Sequence, residues 1–397
     1  MRFPVCLIMC VVCGLGSAVV IDGAAAAPFT PVDDAQVLER LPESTGSQAR
    51  ALRRLRAALS EDPDNVDLAV DLASRYREIG RAEADPRYYG YAQAALGPWW
   101  DLDRPPSAVL LLRAILRQAR HDFDGALADL SRVLEKQPDN AQAWLTRAMI
   151  LTVLGRNDEA RQSCRALLRL TSALVATACH SHAASLSGAA APAYDALQRA
   201  LDNDRTAPPR VRLWALTILA EIATRLGRDA QADAHFQHAL SLGLKDSYLL
   251  GAYADFLLDQ GRPQAVRDLL ADETRPDDLL LRLTIAELRQ NSNEPINYMD
   301  NLRARFAASR LRGETLHLRN EARFALDVAD RPAEALRLAM RLWEEQREPG
   351  DARLFLAAAL AAGKPEAARP VLDWLAETKL EDVGLERLVQ QIEVVRP

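Results

Sequence analysis

The feature that constrains this chain most is a self-match at a spacing of 34 residues. Ser107–Asn140 and Ala141–Leu174 each read as a helix-period apolar stretch, a break, a second such stretch and a second break. Ala114 and Ala148 hold the same slot, and so do Ala126 and Ala160. A unit repeated at fixed period cannot bury its apolar face alone and must stack on its neighbours. A second pair, 213–246 and 247–278, is also in phase: Ala220 with Ala254 and Gly227 with Gly261 are again 34 apart, and Phe236 and Leu270 share a slot. The expectation is an all-α solenoid over residues 47–397, built of roughly eight or nine helical hairpins.

The slots carry a physical reason. Small residues facing each other let paired helices approach closely, and a large residue beside them fills the groove. Pro138 stops one helix, and Asp139–Asn140 can cap the next. Counted from Ala141, Trp144 is the large fourth residue, Ala148 the small eighth, Gly155 the turn and Ala160 the small twentieth; Leu110, Ala114, Ala126 and Pro138 match in the preceding copy. This pattern resembles the tetratricopeptide repeat (TPR). Cys164, where a large apolar residue is usual, and Arg117 depart from it. The resemblance implies a fold and a binding role, not an activity, because many unrelated proteins use such arrays.

The remaining chain reads as weaker copies. Gln48–Ser60 is an amphipathic helix ended by Pro63-Asp64-Asn65, and Val66–Gly80 is a first helix with Gly80 in its turn. Arg81–Asp85 reads as an insertion before a partner helix starting near Pro86. Units follow at 175–201, 279–306, 315–346 and 351–378, with a charged capping helix at 381–394. The recurring turn at 261–263, 330–332 and 363–365 puts Gly or Asp at a helix end and Pro in the next first turn.

Arg2 precedes the apolar run Val5–Ile21, and Ala24–Ala27 then Pro28 follow. That order matches a secretory signal peptide over residues 1–26, cleaved after Ala26, with a loose arm at 27–46. The alternative is an uncleaved anchor, since the run approaches the ~18 apolar residues a membrane span needs. No later apolar run is long enough to cross a membrane. The expected location is the bacterial periplasm or beyond, with no stable membrane insertion after cleavage. A net charge of −6 and a pI near 5.7 give no field to attract nucleic acid.

Cys6, Cys10 and Cys13 leave with the signal, so Cys164 and Cys179 remain. They stand equidistant from the turn expected at Thr171–Ser172, hence level on antiparallel helices. In an oxidising compartment they are disulfide candidates; two buried free thiols are the alternative.

No catalytic or phosphate-binding motif is present, and no enzyme activity, cofactor or metal is expected. His235 and His238 are i, i+3 on a helix, and Cys179-His180-Ser181-His182 is the densest cluster of ligand types. They support a rival reading, a metal-handling accessory protein using His180, His182, His235 and His238. The ordinary alternative is a solvated helix surface.

Two partner-binding surfaces stand out. Tyr88, Tyr89, Tyr91, Trp99 and Trp100 crowd one short segment of a chain only 6% aromatic; they are either a binding hot spot, with the specificity of the array, or a packing plug. The resemblance also implies an inner groove lined by first-helix residues. These are Gln142, Leu145, Met149 and Thr152, His182, Glu221, Thr224 and Arg225, and Tyr248, Asp255 and Asp259. Their mixed character suits a protein segment docked in a groove. The functional expectation is therefore an exported scaffold or adaptor for an unidentified polypeptide.

Overall fold

The computed structural model describes residues 46–83, 85–290, 295–311 and 317–395. The signal segment at 1–26 and the arm at 27–46, except Gly46, lie outside the described residues. The chain divides into residues 1–50, of which only the start of the first helix is described, and residues 51–397, which hold everything below.

The described residues are helical, in nine antiparallel pairs. These are α2 (Val66–Glu83) with α3 (Arg87–Ala95), followed by the short α4 (Gly97–Trp100); α5 (Ser107–Gln118) with α6 (Phe123–Lys136); α7 (Ala141–Val153) with α8 (Asn157–Ala166); and α9 (Ala173–Ser185) with α10 (Ala190–Asn203). Then come α11 (Pro209–Arg225) with α12 (Asp229–Ser241), α13 (Ser247–Asp259) with α14 (Pro263–Leu270), and α15 (Asp277–Arg289) with α16 (Pro295–Leu311). The last pairs are α17 (Leu318–Asp327) with α18 (Pro332–Glu345) and α19 (Pro349–Ala361) with α20 (Arg369–Thr378). A helix α1 (Ser47–Glu61) precedes them, and α21 (Val383–Val395) closes the array.

The 34-residue spacing produces this order through two devices. One is close helix approach: Ala114, Ala126, Ala148, Ala160, Ala220, Ala232 and Ala254 are all fully buried where paired helices touch. The other is the turn. The N–H of Asp122, Arg156, Arg228, Arg262 and Lys364 each donates to the carbonyl five residues back, at 2.8–2.9 Å. This hydrogen bond needs a left-handed residue just before the donor, supplied by Gly155 (φ 73°), Gly227 (φ 68°), Gly261 (φ 64°) and Gly363 (φ 64°). His121 takes the same role at φ 61°, one repeat before Gly155. Asn140 and Asp246 cap α7 and α13, accepting from the N–H of Ala143 (3.0 Å) and Leu249 (3.1 Å).

Two boundaries differ from expectation. Gly80 is not a turn residue: α2 runs on to Glu83. A Cβ at Gly80 would lie 3.1 Å from the Tyr88 Cβ and 3.2 Å from the Tyr89 ring, so its role is to let α3 cross closely. Helix α11 starts at Pro209 and not near Leu213, because Pro is well suited to a first helical turn.

The structure joins Cys164 on α8 to Cys179 on α9 in a disulfide, with Cα atoms 5.5 Å apart. The last pairs also reach back to the turns of the middle pairs. The Arg347 N–H donates to the Val153 carbonyl (2.8 Å), and the Ala190 N–H at the start of α10 donates to the Glu381 carboxylate (2.6 Å). Gly155 faces Trp374 and Arg347, Gly188 faces Lys379, and Gly227 faces Val383. Leu186, from the α9–α10 turn, belongs to the apolar core otherwise built by residues 318–392.

Candidate partner-binding surface

First helices of successive pairs lie side by side, so their exposed faces turn toward a common space. Charge contacts show how sharply that surface curves. The Asp255 carboxylate on α13 accepts from Arg282 on α15 at 2.6 Å and from Arg323 on α17 at 2.6 Å. Asp259 pairs with Arg353 on α19. Four first helices are thus tied through one pair of α13 acids. Glu348, just before α19, acts electrostatically on His121, His182, Glu221 and Tyr248, and Arg319 acts on His121 and Tyr248. Arg225 on α11 meets Ser185 on α9, Tyr248 on α13 meets Glu221 on α11, and Arg319 on α17 meets Asp351 on α19, so with the Asp255 and Asp259 pairs the inner faces of these first helices line one concave chamber.

Burial and charge set the state of each group there. Burial pushes His182 down to about 4, with Arg225 adding to the effect, so its imidazole is neutral near pH 7. Burial pushes the Glu221 carboxyl up, partly offset by the Tyr248 hydroxyl, which donates to it at 2.5 Å. The Glu221 charge in turn holds the Tyr248 phenol well above its usual value. Burial pushes Asp255 up, but Arg282 and Arg323 together outweigh it and hold that carboxyl at about 2. Arg319 donates to Asp351 at 2.7 and 2.9 Å and also pairs with Glu348.

The groove residues named from the sequence divide into three groups. Gln142, Tyr248 and Asp259 are exposed, and Leu145, Met149, His182, Glu221, Thr224 and Asp255 are half-buried. Thr152 is buried, its hydroxyl donating to the Met149 carbonyl (2.7 Å), and Arg225 is buried against the Ser185 hydroxyl (2.7 Å). Those two are internal packing and offer a partner nothing. Asp255 and Asp259, expected to line the groove, have arginine partners within this chain.

The aromatic segment packs against its own helices. Tyr88, Tyr89, Trp99 and Trp100 are half-buried on the core shared by α2, α3 and α5, and Tyr76, Tyr88 and Tyr91 form a ring cluster with centroids 5.6–6.2 Å apart. Only Tyr91 of the five stands half open.

The ligand-type clusters do not assemble. Cys179 is in the disulfide, and the Tyr194 hydroxyl occupies the His235 Nε2 at 2.8 Å. His180 is half-buried on the other side of α9 from His182's chamber partners. Among the described residues no three His, Cys, Asp or Glu side chains come together to hold a metal ion, and the metal-handling reading is not carried further.

Sequence reasoning missed a buried ion pair. Arg113 donates to Asp129 through Nε and Nη2, both at 2.8 Å, and Arg117 joins at 2.8 Å. One repeat on, Arg147 donates to the Ser163 hydroxyl (2.7 Å). The signal was in the text: Arg113 with Arg147 and Asp129 with Ser163 are each 34 apart.

A tetratricopeptide repeat family profile matches residues 111–174. The chain is a TPR-like α-solenoid. No curated protein matches it. Among solved structures it is similar to a tetratricopeptide repeat protein from Parabacteroides merdae (18% identity, 60% of this chain and 92% of that one, TM-score 0.43). It is also similar to the human IFIT1 dimer with PPP-AAAA (13%, 83% and 78%, TM-score 0.47) and to the APC/C hetero-tetramer Cut9-Hcn1 (17%, 88% and 72%, TM-score 0.40). At such identities and TM-scores none of them bears on what this chain does. A TPR-like solenoid is an architecture for protein–protein contact through its concave surface and not for catalysis. Among the described residues no helix is long and apolar enough to cross a membrane.

Proposed function

We propose that this chain is exported to the bacterial periplasm, loses residues 1–26, and holds a partner polypeptide on its first-helix concave surface. The observation that carries the reading is Tyr248. It stands 62% exposed in the concavity, while its hydroxyl is fixed by Glu221 at 2.5 Å. An exposed aromatic ring held in one orientation gives a partner a large contact at little entropic cost, which is the character of a binding hot spot. The surrounding acids are mostly neutralised by this chain's own arginines, which favours a partner of mixed polar and apolar character over a strongly charged one. The disulfide supports export, because such bonds persist in oxidising compartments.

The test uses residues 27–397 as bait in periplasmic extract, followed by affinity measurement with the captured polypeptide. Tyr248→Ala is expected to weaken capture about tenfold or more. Undiminished capture by that variant, with loss in Tyr91→Ala, would move the interface to the aromatic segment. Mass spectrometry of the periplasmic protein is expected to begin at Ala27; an intact Met1 would defeat the export reading.

A further inference from the structure

The second helices hold a site of different chemistry. A cleft of about 300 Å³ lies between α10, α12 and the start of α11, lined by Gln198, Asp202, Arg205, Arg212, His235 and His238 over a floor of Leu201 and Leu216. Arg212 and Leu216 are nine residues from Glu221 and Arg225 on the same helix. At 100° per residue they point away from the concave chamber.

The charges in this cleft are not balanced as they are in the chamber. Arg205 has no hydrogen bond or ion pair within this chain among the described residues. Arg212 reaches only the Asp204 carbonyl, at a long 3.4 Å. In the chamber, by contrast, Arg282, Arg323 and Arg319 are each paired with a carboxylate at short range. Asp202 is the one acid of the lining, and it accepts from Gln198 at 3.0 Å. His235 is held by Tyr194 through Nε2, which leaves its Nδ1 free. Burial lowers its pKa, and His238 beside it lowers it further, so it is neutral near pH 7. Two guanidinium groups against one carboxylate leave a single net positive charge.

We propose that this cleft binds a small carboxylate ligand that also carries an apolar side group. The two guanidinium forks match a carboxylate, a singly charged ligand cancels the net charge, and Leu201 and Leu216 accept the apolar part. Asp202 and Gln198 stand ready to take a donor such as an ammonium group. A dianion such as phosphate would be over-charged for the site and would face Asp202. The site is independent of the scaffold reading, because it uses the opposite face of α11.

Calorimetry on the full mature chain tests it with three probes: L-leucine, N-acetyl-L-leucine and L-leucinamide. The first two carry the carboxylate, and N-acetyl-L-leucine stands in for a peptide C-terminus. The amide lacks the carboxylate and is expected not to bind. Tighter binding of L-leucine, reduced in Asp202→Asn, identifies a free amino acid as the source; tighter binding of N-acetyl-L-leucine identifies a peptide end. Arg205→Ala removes an exposed side chain without touching the core and is expected to weaken either ligand about tenfold or more. Circular dichroism confirms that the variant folds. No binding of either carboxylate up to about 10 mM, equal binding of the amide, or unchanged binding in Arg205→Ala overturns the proposal.

Discussion

Removing the carboxylate of Asp129 tests how this array is held together. Arg113 and Asp129 side chains are 4% and 2% exposed, so neither charge is served by water. In Asp129→Ala the guanidinium of Arg113 keeps only the Trp100 and Leu102 carbonyls. Breaking a buried pair by deleting one partner costs about 3–5 kcal/mol, because the surviving charge is left buried and uncompensated. In a repeat array each unit contacts mainly its neighbours, so the loss is local. Hydrogen exchange read by mass spectrometry on peptides from α5 and α6 is therefore the assay. Protection over 107–136 is expected to fall by about a hundredfold to a few thousandfold, with α19 and α20 little changed. The paired variant Arg113→Met/Asp129→Leu removes both charges at similar volume and is expected to regain most of the loss. A single variant weakened less than about fivefold, or a paired variant as weak as the single one, would refute the reasoning.

Three other outcomes are expected. His182 has a folded pKa of about 4 against an ordinary 6.5, so the unfolded chain takes up this proton first; its stabilising contribution is whole above pH 6.5 and is lost as pH falls toward about 4. The urea midpoint should decline across that window, and His182→Gln should flatten the decline. Non-reducing peptide mapping should find the Cys164 and Cys179 peptides joined, and reduction should cost about 3 kcal/mol for a loop of this size; separately alkylated cysteines would contradict it. Gly155→Ala places a Cβ at φ 73° and 3.2 Å from the Trp374 indole nitrogen, straining the backbone by about 1–2 kcal/mol. It should speed proteolysis between Arg347 and Trp374, whereas Gly243→Ala, at φ 67° with nothing near its Cβ, should not.

What the sequence revealed follows the range of each interaction. The helix pairs were legible because Ala114 and Ala126, or Gly155 and Gly227, act within one hairpin, where spacing alone fixes who meets whom. Gly80 misled because the same residue type serves a turn or a close crossing, and only the position of Tyr88 and Tyr89 decides which. The chamber was legible as a face and not as chemistry. Asp255 meets Arg323 across 68 residues and Asp259 meets Arg353 across 94; those pairings depend on the angle between neighbouring hairpins, which no single repeat encodes. For the same reason Arg225 was placed on a surface, when the Ser185 hydroxyl of the neighbouring hairpin takes its guanidinium; Thr152 was placed there too, although it is buried and its hydroxyl turns back to the Met149 carbonyl of its own helix.

The contacts that join the last hairpins to the turns near Val153, Leu186 and Gly227 have a consequence for truncation. Helices α7 to α12 are complete by Ser241, yet the Glu381 and Val383 side chains that cover the α9–α10 and α11–α12 turns come about 140 residues later. A chain truncated before Glu381 leaves the Ala190 N–H without its carboxylate partner and Gly227 without Val383 against it, so the middle hairpins carry an open turn edge that the full chain closes.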